Sequence, residues 1–225
     1  MTTAVRSNGK KKSARGKSRR RVVITAGPTR EHVDPVRYIS NESSGKMGFE
    51  LARAAVANGD DVTLIAGPVN LETPDGVRRV DVVSARDMLK AVREAFREAD
   101  VLIMCAAVAD WRPKRRLAGK WRKKDGGAEE ATIELTKNPD ILATVAKNKG
   151  DRLVIGFALE TGQGIERARK KLERKNADYV VLNDASALSA DRTTVTILDR
   201  EGGTRRLENR TKRAVAKALV QLAKA

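Results

Sequence analysis

Between an apolar run, Val22-Val-Ile-Thr-Ala-Gly27, and a helical pattern of Phe49, Leu51, Ala52, Ala55 and Val56 lies a segment rich in anion-binding groups. Residues 37–48 supply the amide of Asn41, the hydroxyls of Ser40, Ser43 and Ser44, the ammonium of Lys46 and two glycines. At a helix N-terminus the first-turn N–H groups are unpaired and the dipole is positive, so phosphates and carboxylates are favoured there. This strand–loop–helix unit predicts the opening of a nucleotide-handling α/β domain. Two standard phosphate loops do not fit. The Gly45-Lys46 pair has Ser40 where a Walker loop needs its first glycine, and Met47 where it needs Ser or Thr. A dinucleotide fingerprint is missing as well, because the first strand runs into Gly27-Pro-Thr-Arg30.

A second group closes another apolar run: Cys105-Ala-Ala-Val-Ala-Asp110. Ligands in open α/β sheets bind outside the carboxyl ends of the strands, and alanines there allow close backbone approach. Asp110 serves either as a loop cap or as a partner for a ligand hydroxyl, amine or metal. Ten residues on, Lys120, Lys123 and Lys124 offer mobile ammonium groups. Lys171 and Lys175, four apart, share one helix face. A polyanion such as a nucleoside triphosphate would offset the repulsion between these cations.

Asn138-Pro139-Asp140-Ile141 reads either as a helix start capped by Asn138 or as a loop presenting backbone groups to a base or ribose. Phe157 ends an apolar strand, where it packs in a core or stacks on a base. His32 has no partners for a nucleophilic triad, and Cys105 in an apolar strand reads as an inert thiol. The sequence has no His and Cys spaced as zinc ligands.

The elements that must position these groups alternate. Strands are expected at 22–26, 61–66, 79–83, 100–106, 132–136, 153–158 and 178–183, and helices at 46–58, 85–98, 139–147, 164–175 and 210–223. A hairpin over 194–207 turns at Asp199-Arg-Glu-Gly-Gly203. The pattern predicts an α/β, Rossmann-like three-layer fold with a mainly parallel sheet and a C-terminal hairpin and helix. Residues 111–130, dense in Arg and Lys, interrupt the rhythm as a basic flap.

The chain has 225 residues and a net charge of +17. Nine of its cations and no acid fall within residues 1–21, which account for about half of that excess. Residues 1–21 are expected to be a disordered tail, with residues 22–225 as the folded domain. The tail's charge suits a solvated extension first, then a contact with nucleic acid or another anionic surface, and last a transit peptide, for which it has little amphipathic pattern. The single cysteine matches a reducing compartment, and no run of about 18 apolar residues is present, so a cytoplasmic protein without a membrane span is expected.

The strings ITAGPTRE (24–31), DPVRYISNESSGKMG (34–48), AAVADWRP (106–113), KNPDIL (137–142), GFALET (156–161) and RKNADYVVLND (174–184) resemble phosphopantothenoylcysteine synthetase. That resemblance implies activation of the carboxylate of 4′-phosphopantothenate by a nucleoside triphosphate, CTP in the bacterial type. Pyrophosphate leaves, and the amine of L-cysteine then attacks the acyl-cytidylate, a step of coenzyme A biosynthesis. It implies Mg²⁺ (or Mn²⁺) with the CTP, a homodimer, and a flavin-dependent decarboxylase as a separate, non-covalent partner.

By the same resemblance Asn41 contacts the acyl part of the intermediate, and Lys120 closes over the triphosphate. Asp110, Lys120, Asn138, Pro139, Asp140, Ile141, Phe157, Lys171 and Lys175 form the CTP site. Ala106 and Ala107 approach the pantothenoyl arm, and Arg37 reaches the substrate phosphate across the dimer interface. No metal ligands are assigned. The chain departs from the family pattern in three places: Arg122 stands within Lys120-Trp-Arg-Lys123, the loop after Asp184 is shortened, and the basic tail 1–21 has no counterpart in that pattern. An ATP-dependent ligase is the alternative within the family. A nucleic-acid-binding module and a nicotinamide-dependent oxidoreductase are the alternatives outside it.

Overall fold

The computed structural model describes residues 19–122, 131–160, 164–184 and 191–223. The first half contains β1 (Arg21–Ala26), β2 (Arg30–His32), β3 (Tyr38–Ser40), α1 (Lys46–Ala57), β4 (Asp61–Ala66), β5 (Val77–Asp81), α2 (Ala85–Phe96) and β6 (Val101–Met104). The second contains β7 (Trp111–Pro113), β8 (Leu135–Lys137), α3 (Ile141–Ala146), β9 (Leu153–Glu160), α4 (Gly164–Arg174), β10 (Tyr179–Asp184), β11 (Arg192–Asp199), β12 (Thr204–Thr211) and α5 (Lys212–Leu222).

Among the described residues, eight strands form one sheet in the order β12-β11-β10-β9-β6-β1-β4-β5. The pairs from β5 through β10 are parallel, and β11 and β12 close the edge antiparallel. Successive side chains point to opposite faces. Val22 and Ile24 therefore join one apolar cluster with Phe49, Leu51, Val215 and Leu219 from α1 and α5. Val23 joins the other with Met88, Ile141 and Leu172 from α2, α3 and α4. Both faces being covered, β1 and β4 each read as five consecutive buried residues after one exposed residue.

The chain leaves β1 toward β4 on one side and later returns to β6 on the other. That reversal is the switch point of a doubly wound sheet, and it opens a crevice at the carboxyl ends of β1 and β6. The mainly parallel, three-layer expectation holds, as do the five helices to within two residues at each end.

Four readings need correction. The strand expected at 132–136 is β8, which pairs with β7 outside the main sheet. The strand expected at 79–83 lies two residues earlier, as β5. The β2–β3 hairpin was not foreseen, since three-residue strands are too short to show a period. The domain also starts before residue 22: Arg21 opens β1, and Arg20 pairs with the buried Asp60 at 2.8 Å.

Candidate active site at the carboxyl edge of the sheet

Two clefts open at the switch point. One, of about 630 Å³, is lined by Asp110, Asn138, Pro139, Asp140, Ile141, Phe157, Lys171 and Lys175, together with Arg174 and Trp111. The other, of about 480 Å³, is lined by Asn41, residues 42–48, Cys105, Ala107, Asn183 and Lys212. They share Ala106, Val108, Asp110, Phe157 and Lys171 as a common wall.

The wall is held from beneath by two buried threonines. Thr25 Oγ1 accepts from Ala106 N–H at 3.1 Å, and Thr29 Oγ1 accepts from Ala109 N–H at 3.0 Å. Both threonines are fully buried. Ala107 adds backbone bonds to Gly27 and Thr29. The loop is therefore a firmly held shelf with small side chains, because the N–H groups of Ala106, Ala107 and Ala109 are satisfied by β1 and its extension. Ser40 Oγ donates to Thr29 O at 2.8 Å, and Asn41 Nδ2 donates to Ala107 O at 3.3 Å, which sets the amide beside the shelf.

The N-terminus of α1 lies directly against β1. Gly45 caps it with φ +75°, and a Cβ on Gly48 would stand 2.5 Å from Ala26 Cβ. Glycine at 48 thus allows the helix start and its free N–H groups to reach the cleft. Across the wall, Asn138 Nδ2 donates to Ala109 O at 2.8 Å and its N–H to Asp110 O at 2.8 Å. Asn138 is therefore a brace between loops and not the helix cap. Asp140 caps α3 by accepting from Ala143 N–H at 3.0 Å. Asp140 also pairs with Lys175, whose burial lowers its pKa while Asp110 acts in the opposite direction. Phe157 is half-buried and faces both clefts, so its ring is neither a full core residue nor free in solvent.

The model of the DNA/pantothenate metabolism flavoprotein C-terminal domain matches residues 17–225. The chain belongs to that family. It is 47% identical over 208 residues to the coenzyme A biosynthesis bifunctional protein CoaBC of Vibrio cholerae, covering 90% of this chain and 52% of that protein. The Bacillus subtilis protein of the same name is 46% identical over 206 residues, covering 89% and 50%. The chain thus spans about half the length of the curated relatives it matches. A solved C-terminal domain of CoaBC superposes with a TM-score of 0.78 at 42% identity, covering 90% of this chain and 93% of that one. A Cab2 mutant in complex with phosphopantothenate-cysteine shares the fold at a TM-score of 0.73 and 17% identity, covering 91% and 86%.

In this family member Arg37 and Lys120 line neither cleft. They lie together on a separate shelf. The buried Asp34 accepts from the N–H groups of Val36, Arg37 and Trp121, while Arg37 donates from its guanidinium to the Trp121 carbonyl at 3.1 Å. Leu117 N–H adds a bond to Val33 O at 2.9 Å. The base of the basic flap is thereby docked on the 33–37 turn, with Lys120 exposed. Lys123, Lys124 and the shortened loop at 185–190 lie outside the described residues.

Sequence reasoning missed Thr25, Thr29, Asp34 and Lys212. The threonines belong to the ITAGPTRE string, and nothing local distinguished them from ordinary strand residues. Lys212 begins α5, far from every motif, yet it is 7% exposed and lines the second cleft.

Proposed function

We propose that the chain joins 4′-phosphopantothenate to L-cysteine through an acyl-cytidylate, consuming CTP and releasing CMP and pyrophosphate. One observation carries this reading: two clefts share a wall of small residues, Phe157 and Lys171, with Arg174 and Lys175 on one side and Asn41 on the other. A nucleotide in the first cleft and an acyl arm in the second would meet at that wall. Attack of a carboxylate on an α-phosphate asks for positioning and charge neutralisation more than for a nucleophilic side chain.

In this reading Lys171, Lys175 and Asp110 form the triphosphate end, with Asn138, Pro139, Asp140, Ile141 and Phe157 around the nucleoside. Ala106 and Ala107 let the pantothenoyl arm lie on the shelf, and Asn41 sits at the acyl carbonyl. Lys120, on a flap anchored at its base, closes over the phosphates and limits hydrolysis of the activated acyl group. CTP is preferred over ATP because the motifs resemble the bacterial type and the relatives named above are bacterial.

Mg²⁺ (or Mn²⁺) accompanies the nucleotide in this reading. Among the described residues no three His, Cys, Asp or Glu side chains converge on a metal position. Magnesium asks for less, being held by one or two carboxylates together with substrate phosphates. Asp110, a carboxylate on the shared wall, fits that requirement and would hold the ion, which neutralises phosphate charge when bound.

A homodimer is part of the proposal. Val36, Tyr38, Trp111, Leu117 and Leu135 are each at least 41% exposed, and they cluster on the two small hairpins and the flap base around Arg37. A second copy covering that face would carry its Arg37 toward the partner's cleft. Relatives that carry a further half support a decarboxylase as partner in the cell, and a cytoplasmic location accompanies that role. No helix among the described residues is long and apolar enough to cross a membrane.

The test is incubation of the purified chain with Mg²⁺, 4′-phosphopantothenate and cysteine, adding CTP or ATP separately and following pyrophosphate and the acyl-cysteine product. Product with CTP is expected. Product with ATP alone overturns the nucleotide assignment. No product from folded protein with either overturns the ligase reading.

A further inference from the structure

The floor of the second cleft holds a cation that the reading above leaves unused. Lys212 is the first residue of α5 and is 7% exposed, a depth that lysine rarely reaches unless other groups engage its ammonium. It lines the cleft together with Lys46, Cys105, Ala106, Ala107 and Asn41. Lys46 stands at the start of α1, so two lysines occupy two helix N-termini, where positive charge is unfavourable to the helix. Such a choice works against local stability and leaves the corner, among the described residues, with two lysines against one carboxylate, Asp191. Asp191, facing the same corner, pairs with Lys46 at 2.9 Å through a carboxylate that is 87% exposed. Burial lowers the pKa of Lys212 and Lys46 lowers it further, against the pull of Asp191 and Cys105.

We propose that Lys212, with Lys46 beside it, binds the α-carboxylate of the amino acid that attacks the activated acyl group. This rests on the ligase reading. The anions of that reaction are otherwise accounted for: the nucleotide phosphates belong to the cations of the first cleft, and the phosphate of the pantothenate arm to Arg37. The remaining anion is the carboxylate of cysteine. Held at Lys212, it directs the neighbouring amine along the cleft toward Asn41 and Ala107. The positive corner disfavours the protonated amine, so the neutral nucleophile is populated at the point of attack. The amine nitrogen then bonds to the acyl carbon and gives up a proton to solvent, while the bond from that carbon to the phosphate oxygen breaks and the nucleoside monophosphate leaves with the electron pair.

The test compares cysteine with cysteamine, which lacks the carboxylate, in wild type, Lys212→Met, Lys212→Arg and Lys46→Met. Pyrophosphate release is followed without any amine, and product formation with each amine. In Lys212→Met the cysteine concentration for half-maximal rate should rise about tenfold or more, while that for cysteamine changes less than about twofold. Lys212→Arg should keep most of the preference for cysteine, and Lys46→Met should lose part of it. Equal changes for both amines, or an unaltered cysteine preference in all three variants, overturn the proposal. A rise confined to phosphopantothenate also overturns it, by assigning the corner to the substrate phosphate. Should Lys212→Met be inactive in both steps, the ratio of cysteine to cysteamine in the other two variants decides. Wild-type protein that releases no pyrophosphate refutes the ligase reading itself, an outcome separate from all of these.

Discussion

Lys171 donates from Nζ to the backbone carbonyl of Phe157 at 2.7 Å, tying α4 to β9 at the wall shared by both clefts. The ammonium is thereby held at one height above the sheet and faces both chambers. Replacing it with methionine keeps much of the packing and removes the charge. Lys171→Met should raise the KM for nucleotide about tenfold or more, as loss of a charge-assisted contact does. Steady-state kinetics with varied CTP checks this, and an unaltered KM would take Lys171 out of the nucleotide site.

Thr29 shows how the shelf depends on one hydroxyl. In Thr29→Val the shape is nearly kept, but the buried Ala109 N–H loses its acceptor. Leaving such a donor unsatisfied costs about 1–3 kcal/mol. Urea denaturation should show an unfolding free energy lower by that amount, read as a lower midpoint at unchanged slope, and turnover should fall because Asp110 follows directly after Ala109. Loss of stability with full turnover would mean that the shelf tolerates displacement.

Asp34 couples the flap to pH. Its carboxyl is held below the usual 3.8 chiefly by the Trp121 N–H, opposed by burial, with further help from Val36, Arg37 N–H groups and the Arg37 charge. A lowered value makes the docking complete above 3.8 and progressively lost as the pH falls through the folded-state value. Asp34→Ala should free the flap base at neutral pH, seen as faster tryptic cleavage after Lys120 and Arg122 and lower turnover. Lys120→Ala should lower turnover with the fold and its thermal midpoint intact. Equal protease sensitivity of Asp34→Ala and wild type would refute the anchoring role.

Cys105 gives a prediction of opposite sign. Burial pushes its thiol up to about 12, against a smaller opposing effect of Lys212. The unfolded thiol ionises near 9.0, so the unfolded state loses protons first and stability falls as the pH rises from there toward 12. The denaturation midpoint of wild type should therefore drop more steeply than that of Cys105→Ala between pH 8 and 10.5. Parallel curves would show that the thiol ionises as freely in the folded chain.

The sequence alone determined what is local. Short continuous apolar runs announced β1, β4, β6 and β9, and apolar spacing near 3.6 residues or a local start signal announced the helices, because such signals are complete within a dozen residues. The ordered strings marked both cleft walls, since backbone turns and small side chains there follow from neighbours in the chain. Only the tertiary structure decided how those pieces meet. The Trp121 N–H reaches Asp34 over 87 residues, and Ala109 reaches Thr29 over 80. Lys212 joins Asn41 in one cleft only because α1 and α5 pack side by side on the same face of the sheet. Asn138, a helix cap by its neighbours, became a brace because Ala109 and Asp110 were brought beside it. Pairings of this kind are fixed by which strand lies next to which, and a one-dimensional pattern carries no such information.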